Sequence, residues 1–348
     1  MEKDSRNTPE VPLLEIKNLE IRYLTDEGAV HAVNGLSLKL EKGETLGLIG
    51  ETGAGKTTVA LGILRLVPNP PGKITGGQIW LDGKEITAAS EKEMRSIRGQ
   101  KVSMIFQDPM TSLNPVIPVI DQVAEVILLH EKIKTAEAMQ KAEDALAKVG
   151  INRDRVKEYP HQFSGGMRQR VVIAMALACN PMLLIADEPT TALDVTVQAQ
   201  VLQLMKTLKT EYNTAMILIT HDLGIVADIC DKVAIMYAGN IVEYADKREL
   251  FKNPKHPYTI GLFNSLPDIK SDSGNLKPIK GLMPDPRDLP RGCPFHPRCE
   301  DAKKECAEAI PPNIVVETAN GGSHFVRCHK FSQRHRGAED TEKKNTED

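Results

Sequence analysis

The chain has 348 residues, of which 41% are hydrophobic, 26% charged and 4% aromatic, and its formal net charge is −3. This length favours one large domain with a smaller appendage, and the composition excludes bulk disorder and a membrane-embedded chain. The balanced charge gives no electrostatic footprint for DNA or RNA, and the few aromatic residues offer no stacking platform, so we expect no nucleic-acid partner.

The two ends of the chain are polar. The N-terminus, MEKDSRNTPEVPLLEI, carries acidic residues and no apolar run, so we expect no secretory signal. No stretch of about 18 consecutive apolar residues occurs elsewhere, and we therefore expect a cytosolic chain that spans no membrane. Residues 1–11 and 335–348 are aperiodic as well as polar, and we predict that both are disordered.

Strand-like stretches dominate the first quarter of the chain. LLEIKNLEIRYL and GQIWLDGKEI alternate apolar and polar residues, and the second contains an Asp82-Gly83 hairpin turn. They predict an antiparallel layer. Other short apolar runs are typical of strands that are buried on both faces of a parallel sheet, at 45–50, 102–106, 182–187 and 215–220.

Helical patterns alternate with these runs, which indicates an α/β fold. One helix is expected to begin with Thr135 as its N-cap and to end at Gly150, with Met139, Ala142, Leu146 and Val149 on one apolar face. It lies in a helical insert between the second and third apolar runs. A later crossover helix is expected to bury one face, made of Val201, Leu204, Met205 and Leu208.

A phosphate-binding motif follows the first apolar run. GETGAGKT, Gly50 to Thr57, matches the P-loop pattern between a buried strand and an amphipathic segment. Its glycines would let backbone N–H groups and a helix N-terminus point at a phosphate. Lys56 would reach the β- and γ-phosphates, and Thr57 would bind Mg²⁺. The alternative is a glycine-rich turn that binds nothing.

Two carboxylates end a later apolar strand, in MLLIADEPT. An unpaired charge at the end of a buried strand is costly, and Mg²⁺ is the expected partner of Asp187. Glu188 would orient or deprotonate the water that attacks the γ-phosphate. The alternative is an exposed acidic loop.

A second candidate anion site lies in QFSGGMRQRVVIAMALA, residues 162–178, where a serine and two glycines begin a helix. One chain seldom directs two such sites at one triphosphate, so this site should serve a nucleotide held by another subunit. The alternative is a serine N-cap before an ordinary helix.

With these motifs in this order, residues 12–265 resemble the ATP-binding subunits of ABC transporters. The resemblance implies a P-loop NTPase fold of ABC type, with a mainly parallel core, an antiparallel β subdomain and a helical subdomain at about 108–178. It implies ATP and Mg²⁺, a sister ABC ATPase packed head to tail (a different chain, or an identical one), and two transmembrane permease subunits. An extracytoplasmic substrate-binding protein would act indirectly, and the chain would lie peripherally on the cytoplasmic face of the inner membrane.

The resemblance also implies roles for individual residues. Catalysis falls to Glu188, His221 and Lys56, and Mg²⁺ binding to Thr57, Gln107 and Asp187. On chemistry alone, Tyr23 could be a packed strand aromatic, Gln107 a loop amide and His221 a core histidine. The signature departs from the commonest pattern at Phe163 and Met167. Nucleotide contacts are implied for Tyr23, Gly50, Glu51, Thr52, Gly53, Ala54, Gly55, Lys56, Thr57, Thr58, Gln107, Ser164, Gly165, Gly166, Met167, Asp187 and Asp194.

The composition of the sequence changes near residue 266. From there to about residue 334, Pro, Gly and charged residues surround a cluster of cysteines. Cytosolic thiols more often bind metal than form disulfides. The spacing leaves an iron–sulfur cluster, zinc with His296, His324 or His329, and free cysteines open. Burial is expected for the two remaining cysteines, Cys179 and Cys230. The clustered thiols are Cys293, Cys299, Cys306 and Cys328.

NPKHPYT followed by GCPFHPRC resembles the C-terminal extension of dipeptide and oligopeptide importer ATPases. That resemblance implies a small irregular domain that holds a [4Fe-4S] cluster, with zinc as the alternative metal. It also implies that the transported cargo is di- or oligopeptides, with nickel or sugars as alternative cargoes. Two other functions would require further sequence features. A DNA-repair or translation ATPase would bring a coiled coil or second cassette, and an iron–sulfur redox protein would bring a flavin or nicotinamide fingerprint. The sequence contains no long coiled coil, no second cassette and no flavin or nicotinamide fingerprint.

Overall fold

The computed structural model describes residues 11–191, 193–265, 278–318 and 323–332. The ends predicted to be disordered lie outside these residues, except for Val11. The described strands are β1 (Leu14–Thr25), β2 (Gly28–Leu40), β3 (Thr45–Ile49), β4 (Gly72–Leu81), β5 (Lys84–Glu85), β6 (Val102–Ile105), β7 (Leu183–Asp187), β8 (Ala215–Ile219), β9 (Lys232–Tyr237), β10 (Asn240–Asp246), β11 (Ile314–Glu317) and β12 (Ser323–Val326).

The described helices connect these strands. They are α1 (Lys56–Ile63), α2 (Glu91–Ile97), α3 (Pro109–Ser112), α4 (Val119–His130), α5 (Thr135–Lys148), α6 (Gly165–Leu177), α7 (Val195–Tyr212), α8 (Leu223–Ile229), α9 (Lys247–Lys252), α10 (Pro257–Asn264) and α11 (Lys304–Glu308).

The antiparallel layer predicted for the first quarter of the chain is confirmed. Its strand order is β2-β1-β4-β5, and all of its pairs are antiparallel. Asp82 and Gly83 both have positive φ, 47° and 76°, as a two-residue hairpin turn of the predicted kind requires. This layer packs through its apolar face on α1 and the main sheet, so it lies beside the phosphate loop.

The main sheet has the order β11-β12-β10-β9-β3-β8-β7-β6. The four apolar runs form β3, β6, β7 and β8, which pair in parallel as predicted. Every residue of β3, β7 and β8 is buried, which explains why these strands read as continuous apolar runs. The carboxyl ends of β3 and β7 therefore meet at one edge, where an α/β sheet binds ligands.

The helical insert between β6 and β7 contains α3 to α6. The cap predicted for α5 is wrong by one residue, because Lys134 has the extended backbone of an N-cap and Thr135 is already helical. The predicted apolar face is largely correct, since Ala142 and Leu146 are buried and Met139 is half-buried. In the crossover helix α7 the predicted face is buried except for the half-buried Leu204.

The C-terminal region differs from the small irregular domain that its texture indicates, because β11 and β12 extend the main sheet beside β10. A buried hydrogen bond joins β12 to β10, with His324 Nε2 2.6 Å from Glu243 Oε1. The Glu243 carboxylate also accepts hydrogen bonds from the backbone N–H groups of Lys255 and His256. The region is thus fixed to the ATPase body.

Candidate functional site

The phosphate loop connects β3 to α1 and needs glycine at its end. Gly55 has φ +99°, and a Cβ there would lie 2.3 Å from the carbonyl oxygen of Ala32. Only glycine can take this backbone conformation so close to another main chain. The N-terminus of α1 consequently opens at the edge of the sheet, in the arrangement that binds phosphate.

Lys56 begins α1 and is 8% exposed. Its Nζ donates to the carbonyl oxygens of Gly50 at 2.7 Å and Glu51 at 3.0 Å, so the loop curves around the ammonium group. Burial lowers the pKa of Lys56, although the carboxylates of Glu188, Asp187 and Glu51 oppose that shift. The Lys56 ammonium is therefore held at the loop. When a triphosphate binds, its charged oxygens would replace the two carbonyl oxygens as partners of this ammonium.

Thr57 and Asp187, the predicted Mg²⁺ ligands, are in contact. The Thr57 hydroxyl donates to Asp187 Oδ2 at 2.7 Å, and Asp187 is only 3% exposed at the end of β7. Burial raises the pKa of Asp187, and the hydrogen bond from Thr57 opposes this. A buried carboxylate beside a hydroxyl supplies the hard oxygen donors that Mg²⁺ prefers, so the residues fit that ion.

Glu188 stands at the centre of a polar cluster next to Asp187. Gln107 Nε2 donates to Glu188 Oε2 at 3.1 Å, and the Thr191 hydroxyl donates to the same oxygen at 3.0 Å. His221 Nδ1 lies 3.4 Å from Glu188 Oε1. Glu188 has φ +46°, a strained conformation of the kind found at functional sites. Gln107, predicted as a Mg²⁺ ligand, contacts the carboxylate here.

One cavity of about 610 Å³ collects these groups. Tyr23, on β1, lines it together with the phosphate loop and the carboxylates, as the sequence predicts. Thr191 and Pro286 were missed, since a threonine after the acidic pair and a proline in a loop carry no local signal. The lining residues are Tyr23, Val30, Ala32, Thr52, Gly53, Gly55, Lys56, Thr57, Thr58, Gln107, Asp187, Glu188, His221 and Pro286.

Three predicted contacts of the phosphate loop, Gly50, Glu51 and Ala54, are not among the described residues that line this cavity. The other predicted nucleotide contacts lie at the starts of two other helices. Ser164 accepts from the backbone N–H of Met167 at the start of α6, and Asp194 accepts from that of Val197 at the start of α7. Gly165 is exposed. None of these residues, nor Gly166, is among the described residues that line the cavity. The structure therefore separates the predicted site into two surfaces of the chain.

The two departures in the signature share a partner. Phe163 is 2% exposed, and the Arg155 guanidinium lies 4.9 Å from its ring centroid. Arg155 Nη1 also donates to the Met167 sulfur at 3.4 Å. The same arginine is held by Glu158, which accepts from Arg155 Nη2 at 2.6 Å. Packing against Arg155 thus supports the start of α6.

The four clustered cysteines, together with His296 and His329, line a separate cavity of about 220 Å³. All four thiols are free, and burial raises the pKa of Cys293 and Cys299, and that of Cys328 to about 11. Within the described ranges, no three His, Cys, Asp or Glu side chains form a group that could hold a metal ion. Of the other two cysteines, Cys230 is buried as expected, and Cys179 is half-buried.

None of the helices that the structure describes is both long and apolar enough to cross a bilayer.

Two family models match the chain. The model for the ABC transporter family matches residues 33–191, and that for the oligopeptide/dipeptide transporter C-terminal region matches residues 242–306.

Curated relatives match almost the full length. The chain is 48% identical to the oligopeptide transport ATP-binding protein AppD of Bacillus subtilis, over 94% of this chain and 98% of that protein. It is 51% identical to the oligopeptide transport ATP-binding protein OppD of Salmonella typhimurium, over 86% and 89%. The dipeptide transport ATP-binding protein DppD of Bacillus subtilis is 47% identical, over 92% and 96%.

Solved structures resemble the ATPase body. The dimeric, post-hydrolysis structure of the ATP-binding cassette MJ0796 bound to ADP and Pi has a TM-score of 0.61 and 26% identity, and covers 68% of this chain and 99% of that one.

Proposed function

Because the chain belongs to the ATP-binding proteins of ABC transporters, and within them to the oligopeptide and dipeptide group, we propose that it hydrolyses ATP to energise peptide import. The observation that carries this proposal is the single cavity that joins Lys56, Thr57, Asp187 and Glu188. The cargo proposed is di- or oligopeptides, because the relatives that match nearly the whole chain are named for these.

The geometry supports a role for each group in hydrolysis. The loop N–H groups and Lys56 would hold the phosphates, with Tyr23 stacked on adenine. Thr57 and Asp187, with Gln107 nearby, would hold Mg²⁺, which neutralises charge on the β- and γ-phosphate oxygens when bound. Glu188 would orient and deprotonate the attacking water, and His221 would contact the γ-phosphate.

A second copy of the fold would complete each site. Ser164, Gly165, Gly166, Met167 and Asp194 lie at the starts of α6 and α7 and are not among the described residues that line the cavity of their own chain. We assign them to a nucleotide held by a partner. The subunits would pack head to tail, each signature facing the other's phosphate loop. We propose a sister ATPase of different sequence as the partner, a homodimer being the alternative.

An apolar groove next to the site suits the permease subunits. It has a volume of about 540 Å³ and is lined by Leu66, Met104, Phe106, Val126 and Met175, among others. Phe106 is 42% exposed, and it precedes Gln107, which donates to Glu188. A permease segment docked here would connect dimer closure to the Glu188 carboxylate.

The chain would then lie peripherally on the cytoplasmic face of the inner membrane, and the extracytoplasmic binding protein would act through the permeases.

Reconstitution tests the proposed function. The chain, its sister ATPase and two permeases are placed in proteoliposomes with the binding protein, and uptake of labelled di- and oligopeptides is measured. We expect uptake that requires ATP and is lost with Lys56→Ala, because the loop then lacks its cation. Uptake of nickel or a sugar without peptide uptake would contradict the assigned cargo, and failure to co-purify with permeases would contradict the transport role.

We divide the chain into an ATP-binding domain at 12–265, with the helical subdomain at about 108–178, and a C-terminal extension at 266–334. For the extension we propose a [4Fe-4S] cluster held by Cys293, Cys299, Cys306 and Cys328. Two observations favour it: soft thiols are the ligands of such clusters, and these four line one cavity. One observation opposes it, because no three His, Cys, Asp or Glu side chains of the described residues form a group that could hold a metal ion. Zinc is the alternative.

Iron analysis tests the cluster. For the full-length chain purified without oxygen we expect about four iron and four acid-labile sulfide per chain. Cys328→Ser should lose most of both, whereas Cys230→Ser, a buried thiol on another part of the chain, should keep them. Stoichiometric zinc without sulfide would contradict the cluster.

A further inference from the structure

An ion pair joins the C-terminal extension to the phosphate loop. Arg298 Nη1 donates to both carboxylate oxygens of Glu51, at 3.1 and 3.0 Å. The Arg298 side chain is 7% exposed and that of Glu51 is 30% exposed, so solvent screens this pair less than a surface pair. Glu51 is the second residue of the phosphate loop, and Arg298 immediately precedes Cys299.

Arg298 is itself held rigidly. Its Nε donates to the carbonyl oxygen of Lys280 at 3.0 Å, and its guanidinium lies 5.8 Å from the ring centroid of Tyr237. Tyr237 is fully buried and packs edge-on against Phe295, at 5.2 Å between ring centroids. A guanidinium held by Lys280 and Tyr237 sets the position of the carboxylate that it binds.

The main chain of Glu51 is anchored by Tyr258, on α10 before the extension, which in turn packs on the extension. Its backbone N–H donates to the Tyr258 hydroxyl at 3.1 Å, and Tyr258 packs on Phe295 at 5.4 Å between centroids. Earlier in the extension, the carbonyl oxygen of Pro286 accepts from the backbone N–H of His31. Both the side chain and the backbone of one loop residue are thus fixed by groups outside the recognised nucleotide motifs.

Charge gives this contact a consequence for binding. The negative charge of Glu51 opposes the lowering of the Lys56 pKa by burial. The Lys56 ammonium also donates to the Glu51 carbonyl oxygen at 3.0 Å. Without Arg298, an unpaired carboxylate would lie on the loop that must receive a triphosphate, where it repels the ligand and competes for Lys56. Arg298 pairs with that carboxylate, and Glu51 is not among the described residues that line the cavity.

We propose that Arg298 is a positioning residue that acts through Glu51 to hold the phosphate loop ready for nucleotide. This inference rests on the proposed function, since it deepens the ATP site. It makes the C-terminal extension part of the nucleotide-binding apparatus, beyond its contribution of Pro286 to the cavity wall.

Nucleotide affinity in a double-mutant cycle tests the proposal. Binding of ATP to the full-length chain is measured by titration calorimetry for wild type, Arg298→Ala, Glu51→Gln and the double variant. We expect Arg298→Ala to weaken binding by about tenfold. In the Glu51→Gln background the same change should alter affinity by less than about twofold, because no carboxylate remains to be paired. Arg298→Lys should recover part of the loss.

Controls separate this role from plain folding. Lys304→Ala removes a cation from the same extension at a side chain that is 91% exposed, and should leave ATP affinity unchanged. In the assembled transporter, Arg298→Ala should raise KM for ATP more than it lowers kcat. An equal loss in both backgrounds would show that Arg298 supports only packing, and would overturn the proposal.

The two proposals fail in different ways. If wild type binds ATP, Lys56→Ala abolishes binding and Arg298→Ala binds like wild type, only the role of Arg298 is refuted. If wild type itself binds no ATP, the proposed function is refuted, and this inference with it.

Discussion

Glu188→Gln is expected to lower kcat for ATP hydrolysis by about a thousandfold while ATP still binds, because the amide cannot take a proton from water. The substitution keeps the shape of the side chain. It also keeps an oxygen that can accept from Gln107 or Thr191, which contact Glu188 Oε2 in the native site. Steady-state phosphate release measures kcat, and retention of radiolabelled ATP on the assembled transporter measures binding.

The control for this substitution is Glu300→Gln. Glu300 is 79% exposed and pairs only with the exposed Lys280 among the contacts that the structure describes. Its replacement should leave both turnover and ATP retention at wild-type values. Turnover of Glu188→Gln within about threefold of wild type would refute the role of the carboxylate, since a general base contributes about a hundredfold or more.

Local patterns in the sequence predict most of the ATP site because the groups that form it follow buried strands. The runs that end at Ile49 and at Asp187 are recognisable as buried strands, and parallel strands bring their carboxyl ends to one edge. Contact between Thr57 and Asp187, 130 residues apart, therefore follows from motifs alone. The strand pattern and the motif chemistry point to the same arrangement.

What the sequence could not show are contacts with no local pattern. Arg298 meets Glu51 across 247 residues, and nothing in HPRC distinguishes a loop anchor from a surface arginine. The C-terminal strands were missed because β11 and β12 have four residues each, too few to show a clear alternation. Their pairing beside β10 is decided by tertiary contacts, among them the buried pair of His324 and Glu243.

Gly165→Val offers the clearest test of the second nucleotide surface, because the native chain leaves room for a Cβ at this exposed position. A Cβ at Gly165 would have its nearest neighbour, a methyl of Leu193, at an ordinary 3.7 Å. We therefore expect stability within about 0.5 kcal/mol of wild type. ATP binding to the single chain should also be unchanged, because Gly165 is not among the described residues that line its cavity.

Assembly should respond very differently. The valine would cover the N-terminus of α6, where a partner's γ-phosphate would approach the backbone N–H groups in the proposed head-to-tail dimer. With Glu188→Gln in both ATPase subunits to retain ATP, we expect the native signature to give an ATP-dependent dimer and Gly165→Val to give none, as measured by light scattering. Turnover of the assembled transporter should fall by about a hundredfold when Gly165→Val alone is present.

Gly166 gives the matched contrast, since a Cβ there would lie 2.3 Å from a methyl of Val197. Gly166→Ala should therefore lower the free energy of unfolding by about 1–3 kcal/mol, the usual range for overpacking. Substitutions at these neighbouring glycines would then have different effects: Gly166→Ala would destabilise the folded chain, whereas Gly165→Val would prevent only the ATP-dependent dimer. If Gly165→Val dimerised on ATP and hydrolysed it at the native rate, the signature could not be facing a partner's nucleotide, and the head-to-tail arrangement would have to be abandoned.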